Sequence, residues 1–242
     1  MVNLVTGPGD FPDAGAFAAQ ISSLFPQVAS LVWSVNQTRA SVAIGFPYTV
    51  LAGRDHIFEE ICGLRLKVTP STFLQTNTAM AERLYRRALD YAALNGDEHV
   101  LDLYSGIGSI SLLLAASAAD VHGIEIVEDA VRMAVENAGA NGVANCRFTA
   151  GKVRSELAEL ASGTPPDVII LDPPRAGASK KEIQRIIGLA AHRIVYVSCN
   201  AATMASNASQ LSEAGYRLIR TGAVDMFPHT PHIETVSLFE RI

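Results

Sequence analysis

A cysteine between polar residues, Cys199 in the segment Ser198-Cys199-Asn200, is the side chain best suited to nucleophilic chemistry. It follows an apolar run that predicts a strand and precedes a helical segment. A thiol at a strand tip beside a helix N-terminus has the setting that lowers a thiol pKa and favours the thiolate. Cysteines are also buried for packing alone, which fits Cys62 and Cys146 better than Cys199. A hydrolase in which His229 activates Cys199 is a second interpretation.

A stiff loop, Asp172-Pro173-Pro174-Arg175, follows another apolar run. Two prolines at the end of a strand stiffen the loop and prevent the strand from continuing its ladder. Enzymes that methylate amino groups hold a base on such an Asp-Pro-Pro loop, but they usually have an aromatic residue where Arg175 stands. The loop is therefore a candidate base-binding element, and a plain strand terminator is the alternative.

A glycine-rich turn runs from Asp102 to Ser109 and opens a helix. Gly106 and Gly108 permit a tight turn and a close approach of a ligand to backbone N–H groups. Glu125 ends the next predicted strand, where a carboxylate can bind ribose hydroxyl groups. Position 111 is serine, so the dinucleotide pattern GxGxxG is incomplete. This favours S-adenosylmethionine, which has no pyrophosphate to bind.

The elements that must position these residues alternate regularly from residue 68 onward. A helix is predicted over about 77–94, and strands then alternate with amphipathic helices. Near-continuous β-branched runs separated by helices predict a doubly wound, mostly parallel α/β sheet covered on both faces. The last two runs have no helix between them and predict an antiparallel pair at the sheet edge. The seven predicted strands are 100–104, 121–125, 146–148, 168–171, 194–197, 216–224 and 234–239.

The first part of the chain has a different pattern. Glycines and prolines interrupt short apolar stretches at 31–35 and 41–44, and the apolar spacing over 11–25 is helical. This predicts a small α+β segment that is part of a larger unit. We therefore expect two domains, one over residues 1–67 and one over residues 68–242.

Composition limits the class of protein. The chain has 242 residues, a formal net charge of −5 and 49% apolar residues, which exclude intrinsic disorder. It contains no run of ~18 apolar residues and no leader pattern, so we expect a cytoplasmic protein with no membrane span. Three widely spaced cysteines without a CxxC pair argue against a disulfide framework or a cysteine zinc site. Prolines around His229 and His232 exclude a helical pair, and we expect no metal.

Five segments occur in the same order as in the RNA 5-methyluridine methyltransferases, and the chain resembles that family from residue 68 to its end. The family uses S-adenosylmethionine to methylate uridines of transfer or ribosomal RNA. The segments are Phe73-Leu74-Gln75-Thr76-Asn77, Asp102 to Gly108, Asp172 to Arg175, Ser198 to Asn200, and His232-Ile233-Glu234.

The resemblance implies a Rossmann-like methyltransferase fold and a role for each matching residue. Cys199 would be the nucleophile that adds to uracil C6, and Glu234 the base that removes the C5 proton. The cofactor-binding positions would be Gln75, Tyr104, Gly106, Gly108, Ser109, Glu125 and Asp172. The flipped uracil would contact Phe73, Gln75 and Asp172.

The chain departs from the family pattern at a few positions. The family usually has Cys at Ser105, Pro at Ala201 and Arg-Asp at Ser206-Asn207. It also has an N-terminal oligonucleotide-binding barrel, which carries an iron–sulfur cluster in some members. Neither is found here, although residues 1–67 have weaker similarity to the family's inserted domain. For a net acidic chain without that barrel we expect weak RNA binding, to which the basic face of Arg83, Arg86 and Arg87 contributes.

Two further interpretations stay open. An amino-methylating nucleic-acid enzyme would use the Asp172-Pro173-Pro174 loop and would make Cys199 dispensable. A non-catalytic subunit would bind the cofactor without turnover.

Overall fold

The computed structural model describes residues 1–37, 46–161 and 163–242. In its first part, strand β1 (Val2–Thr6) is followed by helix α1 (Ala14–Leu24) and strands β2 (Ser30–Val35) and β3 (Tyr48–Gly53). Strand β2 pairs parallel with β1 and antiparallel with β3. Strands β4 (Ile57–Ile61) and β5 (Leu64–Val68) form a separate antiparallel hairpin. The helical spacing over 11–25 corresponds to α1, the apolar stretch at 31–35 lies in β2, and the stretch at 41–44 lies outside the described residues.

The second part is a doubly wound sheet of seven strands, as predicted. Its strand order is β11-β12-β10-β9-β6-β7-β8, with the last five mutually parallel and β12 antiparallel to both of its neighbours. In chain order the elements are α2 (Thr78–Ala92), β6 (His99–Leu103), α3 (Ser109–Ala115), β7 (Asp120–Glu125), α4 (Glu128–Ala140), β8 (Cys146–Ala150), α5 (Val153–Leu160), β9 (Val168–Leu171), α6 (Lys180–Gly188), β10 (Arg193–Ser198), α7 (Ala201–Glu213), β11 (Tyr216–Val224) and β12 (Glu234–Arg241).

The core consists of two apolar layers, one on each face of this sheet. Helices α2, α3 and α4 cover one face, and α5, α6 and α7 cover the other. Along β9 the side chains alternate, so that Val168 and Ile170 face the first layer and Ile169 and Leu171 the second. All four side chains are fully buried, because β9 is covered on both faces. This explains why the strand is apolar at every position.

The hairpin β4–β5 packs against the second part of the chain. Its buried residues Ile61 and Leu66 belong to the same apolar layer as α2, α3 and α4, and β5 contacts both α3 and α4. The domain boundary at residue 67 stays a prediction, and the hairpin is the element that joins the two sides of that boundary.

Helix α2 occupies most of the predicted 77–94 range. The Asn77 side chain accepts a hydrogen bond from the N–H of Met80 and caps the helix, and Ala93 ends it in the left-handed conformation. Within the described ranges no helix is long and apolar enough to cross a membrane. The same ranges hold no group of three or more His, Cys, Asp or Glu residues arranged to bind a metal ion.

Candidate active site

Three carboxyl side chains and one thiol lie along the carboxyl edge of the sheet, on the face covered by α2 and α3. Since every second side chain of a strand points to the same face, the strand residues buried under α2 and α3 define this direction. Those residues are Val100, Ile170, Val197 and Val236. The chemically active residues two positions away from them are Asp102, Asp172, Cys199 and Glu234.

Antiparallel pairing of β10 with β12 brings Cys199 beside Glu234. Ser198 is registered with Thr235, whose hydroxyl donates a hydrogen bond of 3.2 Å to the Ser198 carbonyl. Continuing this register by one residue places Cys199 opposite Glu234. Cys199 is half-buried and Glu234 is buried. The structure therefore brings together the two residues for which catalytic roles were predicted.

The thiol of Cys199 is less acidic than an ordinary cysteine. Burial raises its pKa, and the carboxylates of Glu234 and Asp172 raise it further. The expectation that the N-terminus of α7 lowers this pKa was wrong, because desolvation and two nearby negative charges outweigh the helix dipole. Burial also raises the pKa of Glu234. In the free protein Cys199 is therefore a protonated thiol at neutral pH.

The glycine-rich turn after β6 is held by backbone hydrogen bonds. Tyr104 has a φ of 65°, and its N–H and that of Ser105 both donate to the Ile124 carbonyl, at 2.9 and 3.1 Å. Gly108 has a φ of 83°, and a Cβ there would lie 2.9 Å from Phe148. Glycine is required at Gly108 both by its conformation and by the close packing of the turn on β8.

Glu125 ends β7 and binds two backbone N–H groups. Its Oε2 accepts from Gly106 at 3.1 Å, and its Oε1 accepts from Val127 at 2.9 Å. Each carboxylate oxygen has a second lone pair free. These two bonds fix the carboxylate at the end of β7, and its binding of ribose hydroxyl groups stays a prediction.

One cleft collects most of the residues predicted for the cofactor and the base. It is lined by Phe73, Gln75, Tyr104, Gly106, Ser109 and Asp172, together with Leu74, Tyr85, Asp102, Ser105, Ile107 and Ile110. Phe73 is 57% exposed, so most of its ring is available for contact with a ligand. The Tyr104 ring also packs against the apolar layer on the opposite face, with its hydroxyl beside Glu182. The roles of the individual residues stay predictions.

Two carboxyl groups of the cleft are weak acids. Burial raises the pKa of Asp172 to about 7, and the charges of Glu234 and Asp102 act in the same direction. Burial also raises the pKa of Asp102 to about 7, although its carboxylate accepts a hydrogen bond from the Ser111 hydroxyl. Tyr85 lies close to both groups, and its hydroxyl is beside Ser109. The cleft thus disfavours several negative charges at the same time.

Side-chain amides tie the loops of the site together. Asn200 caps α7 through the N–H groups of Ala202 and Thr203, and its Nδ2 donates to the Arg175 carbonyl at 3.2 Å. Asn77 donates to the Met226 carbonyl at 3.0 Å. The first contact joins the Pro-Pro loop to the cysteine segment. The second joins the Phe73 loop to the segment that leads to Glu234.

Three of the positions that depart from the family pattern have a defined local structure. Helix α7 begins at Ala201 without the usual proline. Asn207 is buried, donates to the Ala178 carbonyl at 2.9 Å and accepts from the Tyr196 hydroxyl at 2.8 Å, so it has a packing role. Ser105, where the family usually has cysteine, leaves its buried hydroxyl without a hydrogen-bond partner among the described residues.

The Cys–His interpretation receives no support from the geometry. His229 lies between β11 and β12 with a φ of 72°. Within the part of the chain that the structure describes, no hydrogen bond joins its ring to Cys199, and the groups that shift the pKa of Cys199 are carboxylates and Arg175.

Sequence reasoning missed Asn137, which connects the hairpin to the glycine-rich turn. Asn137 is fully buried in α4. Its Oδ1 accepts from the Lys67 N–H at 2.7 Å, and its Nδ2 donates to the carbonyls of Lys67 and Ile107 at 3.4 and 3.3 Å. One turn later Asn141 bonds in the same way to the N–H and carbonyl of Arg65, at 2.9 and 3.0 Å. Two asparagines at helical spacing before a glycine were the available signal.

Comparison with known proteins adds independent evidence. A family model described as tRNA (uracil-5-)-methyltransferase matches residues 62–242. An uncharacterized RNA methyltransferase of Caldanaerobacter subterraneus is 41% identical over 100% of this chain and 54% of its own length. Another, of Bacillus cereus, is 38% identical over 100% of this chain and 53% of its own length. The chain thus spans about half the length of the curated relatives it matches.

One solved structure is similar over nearly the whole chain. It is the Pyrococcus abyssi tRNA (uracil-54, C5)-methyltransferase in complex with S-adenosyl-L-homocysteine. It superposes with a TM-score of 0.77 and 32% identity, and the match covers 98% of this chain and 55% of that one.

Proposed function

The chain belongs to the tRNA (uracil-5-)-methyltransferase family of RNA methyltransferases, and on that basis we propose that it transfers a methyl group from S-adenosylmethionine to C5 of a uridine in transfer or ribosomal RNA. The observation that carries the proposal is the juxtaposition of Cys199 and Glu234 on one face of adjacent strands, near Asp172 of the cleft. The three cysteines of the chain are free thiols, which fits a reducing cytoplasmic setting.

The residues of the cleft and of the turn beside it fit S-adenosylmethionine. Glu125 does not line the cleft itself but is bonded to Gly106 of its wall, and it offers two fixed oxygens for the ribose hydroxyl groups. A Cβ on Gly106 would meet nothing within 4 Å, so the turn is open toward a ligand. Gln75, Ser109 and Asp172 line the same space. When bound, S-adenosylmethionine supplies the methyl group as an electrophile on a positively charged sulfur.

The chemistry requires a nucleophile and a base on the two sides of one ring. Uracil C5 is too weak a nucleophile to take a methyl group unaided. The Cys199 thiol gives up its proton to solvent, the thiolate sulfur forms a bond to C6, and the electrons of the C5–C6 double bond move onto C5 and the adjoining carbonyl, so that C5 becomes the attacking carbon. C5 then bonds the methyl carbon while the bond from that carbon to the cofactor sulfur breaks. Glu234 removes the C5 proton, and the C6–S bond breaks to restore the double bond and release the thiolate.

The uridine must leave its stack to reach Cys199, because both faces of the base are occupied in a helix. The exposed ring of Phe73 offers one face for the flipped base. The unstacking costs a few kcal/mol, which contacts to the RNA backbone must offset. With a net charge of −5, we expect this chain alone to bind RNA weakly.

A covalent trap tests the proposal. The protein is incubated with S-adenosylmethionine and short RNA hairpins that carry 5-fluorouridine, and the products are separated on a denaturing gel. Fluorine at C5 cannot leave as a proton does, so the adduct persists as a shifted band. Cys199→Ala should abolish the band, whereas Cys62→Ala, the matched control at another half-buried thiol, should retain it.

Each of three results would overturn the proposal. A band that persists in Cys199→Ala removes the nucleophile from the mechanism. Methyl transfer to RNA by Cys199→Ala would favour amino-group methylation on the Asp172 loop. Binding of S-adenosylhomocysteine by calorimetry, with neither adduct nor methyl transfer on any RNA at high concentration, would favour a non-catalytic cofactor-binding subunit.

A further inference from the structure

Three arginines line a cleft between helix α2 and the end of strand β11. The cleft is formed by Met80, Arg83, Arg86, Arg87 and Asp90 on the helix and by Ala223, Val224 and Asp225 after it in the chain. We call it the arginine cleft. Arg83 and Arg87 are four residues apart on α2, so their side chains leave the same face of the helix about 6 Å apart along its axis.

Arg87 is fixed in place by the main chain of β11. Its guanidinium donates to the Ala223 carbonyl at 2.8 Å. It lies over Gly222, where a Cβ would be only 2.4 Å from its Nη1. A guanidinium has five N–H donors, so most of the donors of Arg87 stay available after this bond. Because the Arg87 side chain is already ordered, it loses less conformational entropy on binding an anion than a flexible cation does.

The charges of the other arginines are only partly balanced. Arg83 is exposed and has no hydrogen bond or ion pair within the described part of the chain. Arg86 is exposed and pairs with Glu82 at 3.3 Å, a surface pair that is easily exchanged for another anion. Asp90, the helix carboxylate of the cleft, is paired at 3.4 Å with Arg220 of β11. Asp225 is the remaining carboxylate of the cleft.

The arginine cleft adjoins the candidate active site. Val224, at its wall, is registered directly opposite Glu234 in β12. The next turn of chain, at Met226, is bonded to Asn77 at the end of the Phe73 loop. A nucleotide whose base reaches Glu234 therefore has its sugar and phosphate close to this wall.

We propose that the arginine cleft binds phosphate groups of the RNA strand beside the target uridine. The inference rests on the proposed function. Arginine side chains that converge on one cleft match the charge and planar geometry of phosphate oxygens. Such contacts set the position of the strand without reading its sequence. They would supply part of the backbone contact energy that offsets base unstacking.

The test measures how salt affects the rate of adduct formation with a short 5-fluorouridine RNA hairpin. In the double variant Arg83→Ala/Arg86→Ala the negative slope of the logarithm of the rate against the logarithm of salt concentration should become shallower by about 0.7 for each phosphate that the variant no longer neutralises. This change in slope should be similar for hairpins of different loop sequence. Arg154→Ala, an exposed arginine of α5 on the opposite face, is the matched control and should keep the wild-type slope.

A second variant changes the position of the Arg87 guanidinium without removing its charge. Gly222→Ala keeps every arginine but places a Cβ where the Arg87 guanidinium lies, so that the flexible side chain must move. It should weaken hairpin binding while leaving S-adenosylhomocysteine affinity unchanged. A wild-type slope in Arg83→Ala/Arg86→Ala together with wild-type hairpin affinity in Gly222→Ala would overturn the inference, as would an equally shallow slope in Arg154→Ala. If wild-type protein traps no hairpin, the proposed function itself fails. A wild-type trap with unchanged slopes refutes the arginine cleft alone.

Discussion

Asn137 offers a sharp test of how the fold holds the cofactor-binding turn. Its side chain does for β5 what a neighbouring strand would do, since it both accepts from the Lys67 N–H and donates to the Lys67 carbonyl. Asn141 repeats this at Arg65. Four residues of helix rise about 6 Å, and two residues of strand rise about 6.7 Å. The two asparagines of α4 therefore match alternate residues of β5.

The change Asn137→Asp keeps the size and the acceptor of the side chain and removes its two donors. The carbonyls of Lys67 and Ile107 are then left without this partner, the first in a part-buried place and the second in a buried one. An unsatisfied buried group costs about 1–3 kcal/mol, so two cost about 2–6 kcal/mol. Both bonds are long, at 3.3 and 3.4 Å, which places the expected decrease in unfolding free energy at about 2–4 kcal/mol.

Asn141→Asp is the matched control, because it makes the same chemical change one turn later at a site that water can reach. Both residues lie near the C-terminus of α4, so the unfavourable effect of a carboxylate on the helix dipole is shared. We expect a decrease of at most about 1 kcal/mol for this variant.

Urea unfolding measures both variants, and calorimetry with S-adenosylhomocysteine measures the consequence for the cleft. Asn137→Asp should weaken ligand binding because the Ile107 carbonyl belongs to the turn that carries Gly106. Equal decreases in stability in the two variants would refute the reasoning, as would a decrease below about 1 kcal/mol for Asn137→Asp.

Three further predictions follow from groups of the site. Glu234→Gln removes a negative charge that raises the pKa of Cys199, so iodoacetamide should alkylate Cys199 faster near neutral pH. Mass spectrometry of the modified peptide follows the alkylation, and an unchanged rate would contradict the prediction. Asp172 has a folded pKa of about 7 against about 3.9 unfolded, so between these values the native state holds a proton that the unfolded state has released. Its contribution to stability therefore falls as pH rises from about 4 to 7, and the Tm of Asp172→Asn should decrease less than that of the wild type over this range. Ser105→Cys replaces a buried hydroxyl that has no partner among the described residues, and should raise the unfolding free energy by about 1 kcal/mol, as measured in urea.

Much of the fold and part of the site follow from the alternation of apolar residues. Continuous apolar runs such as 168–171 are predictable because a strand covered on both faces must be apolar at each position. Once the strands are known, parity alone places Asp172 and Cys199 on one face, since each lies two residues beyond a buried valine or isoleucine of the α2 side.

The remaining features depend on contacts between distant segments. The pairing of β10 with β12 sets Cys199 beside Glu234, and no local pattern encodes which strand neighbours which. The pKa of Cys199 was misjudged for the same reason, because the helix N-terminus is visible in sequence whereas burial and the Asp172 charge arise only on folding. The strand-like role of Asn137 likewise requires knowing that β5 lies against α4.

The negative charges beside Cys199 destabilise its thiolate, and this effect suits the proposed reaction. In the free protein Glu234 and Asp172 oppose the thiolate, which keeps the sulfur protonated and less prone to oxidation. Forming the C6–S bond moves the negative charge from sulfur into the uracil ring and relieves this repulsion. When Glu234 takes the C5 proton it becomes neutral, so the departing thiolate faces one negative charge fewer than the attacking thiolate did. The same carboxyl group thus disfavours the free thiolate while it is ionised and eases the departure of the thiolate once it is protonated.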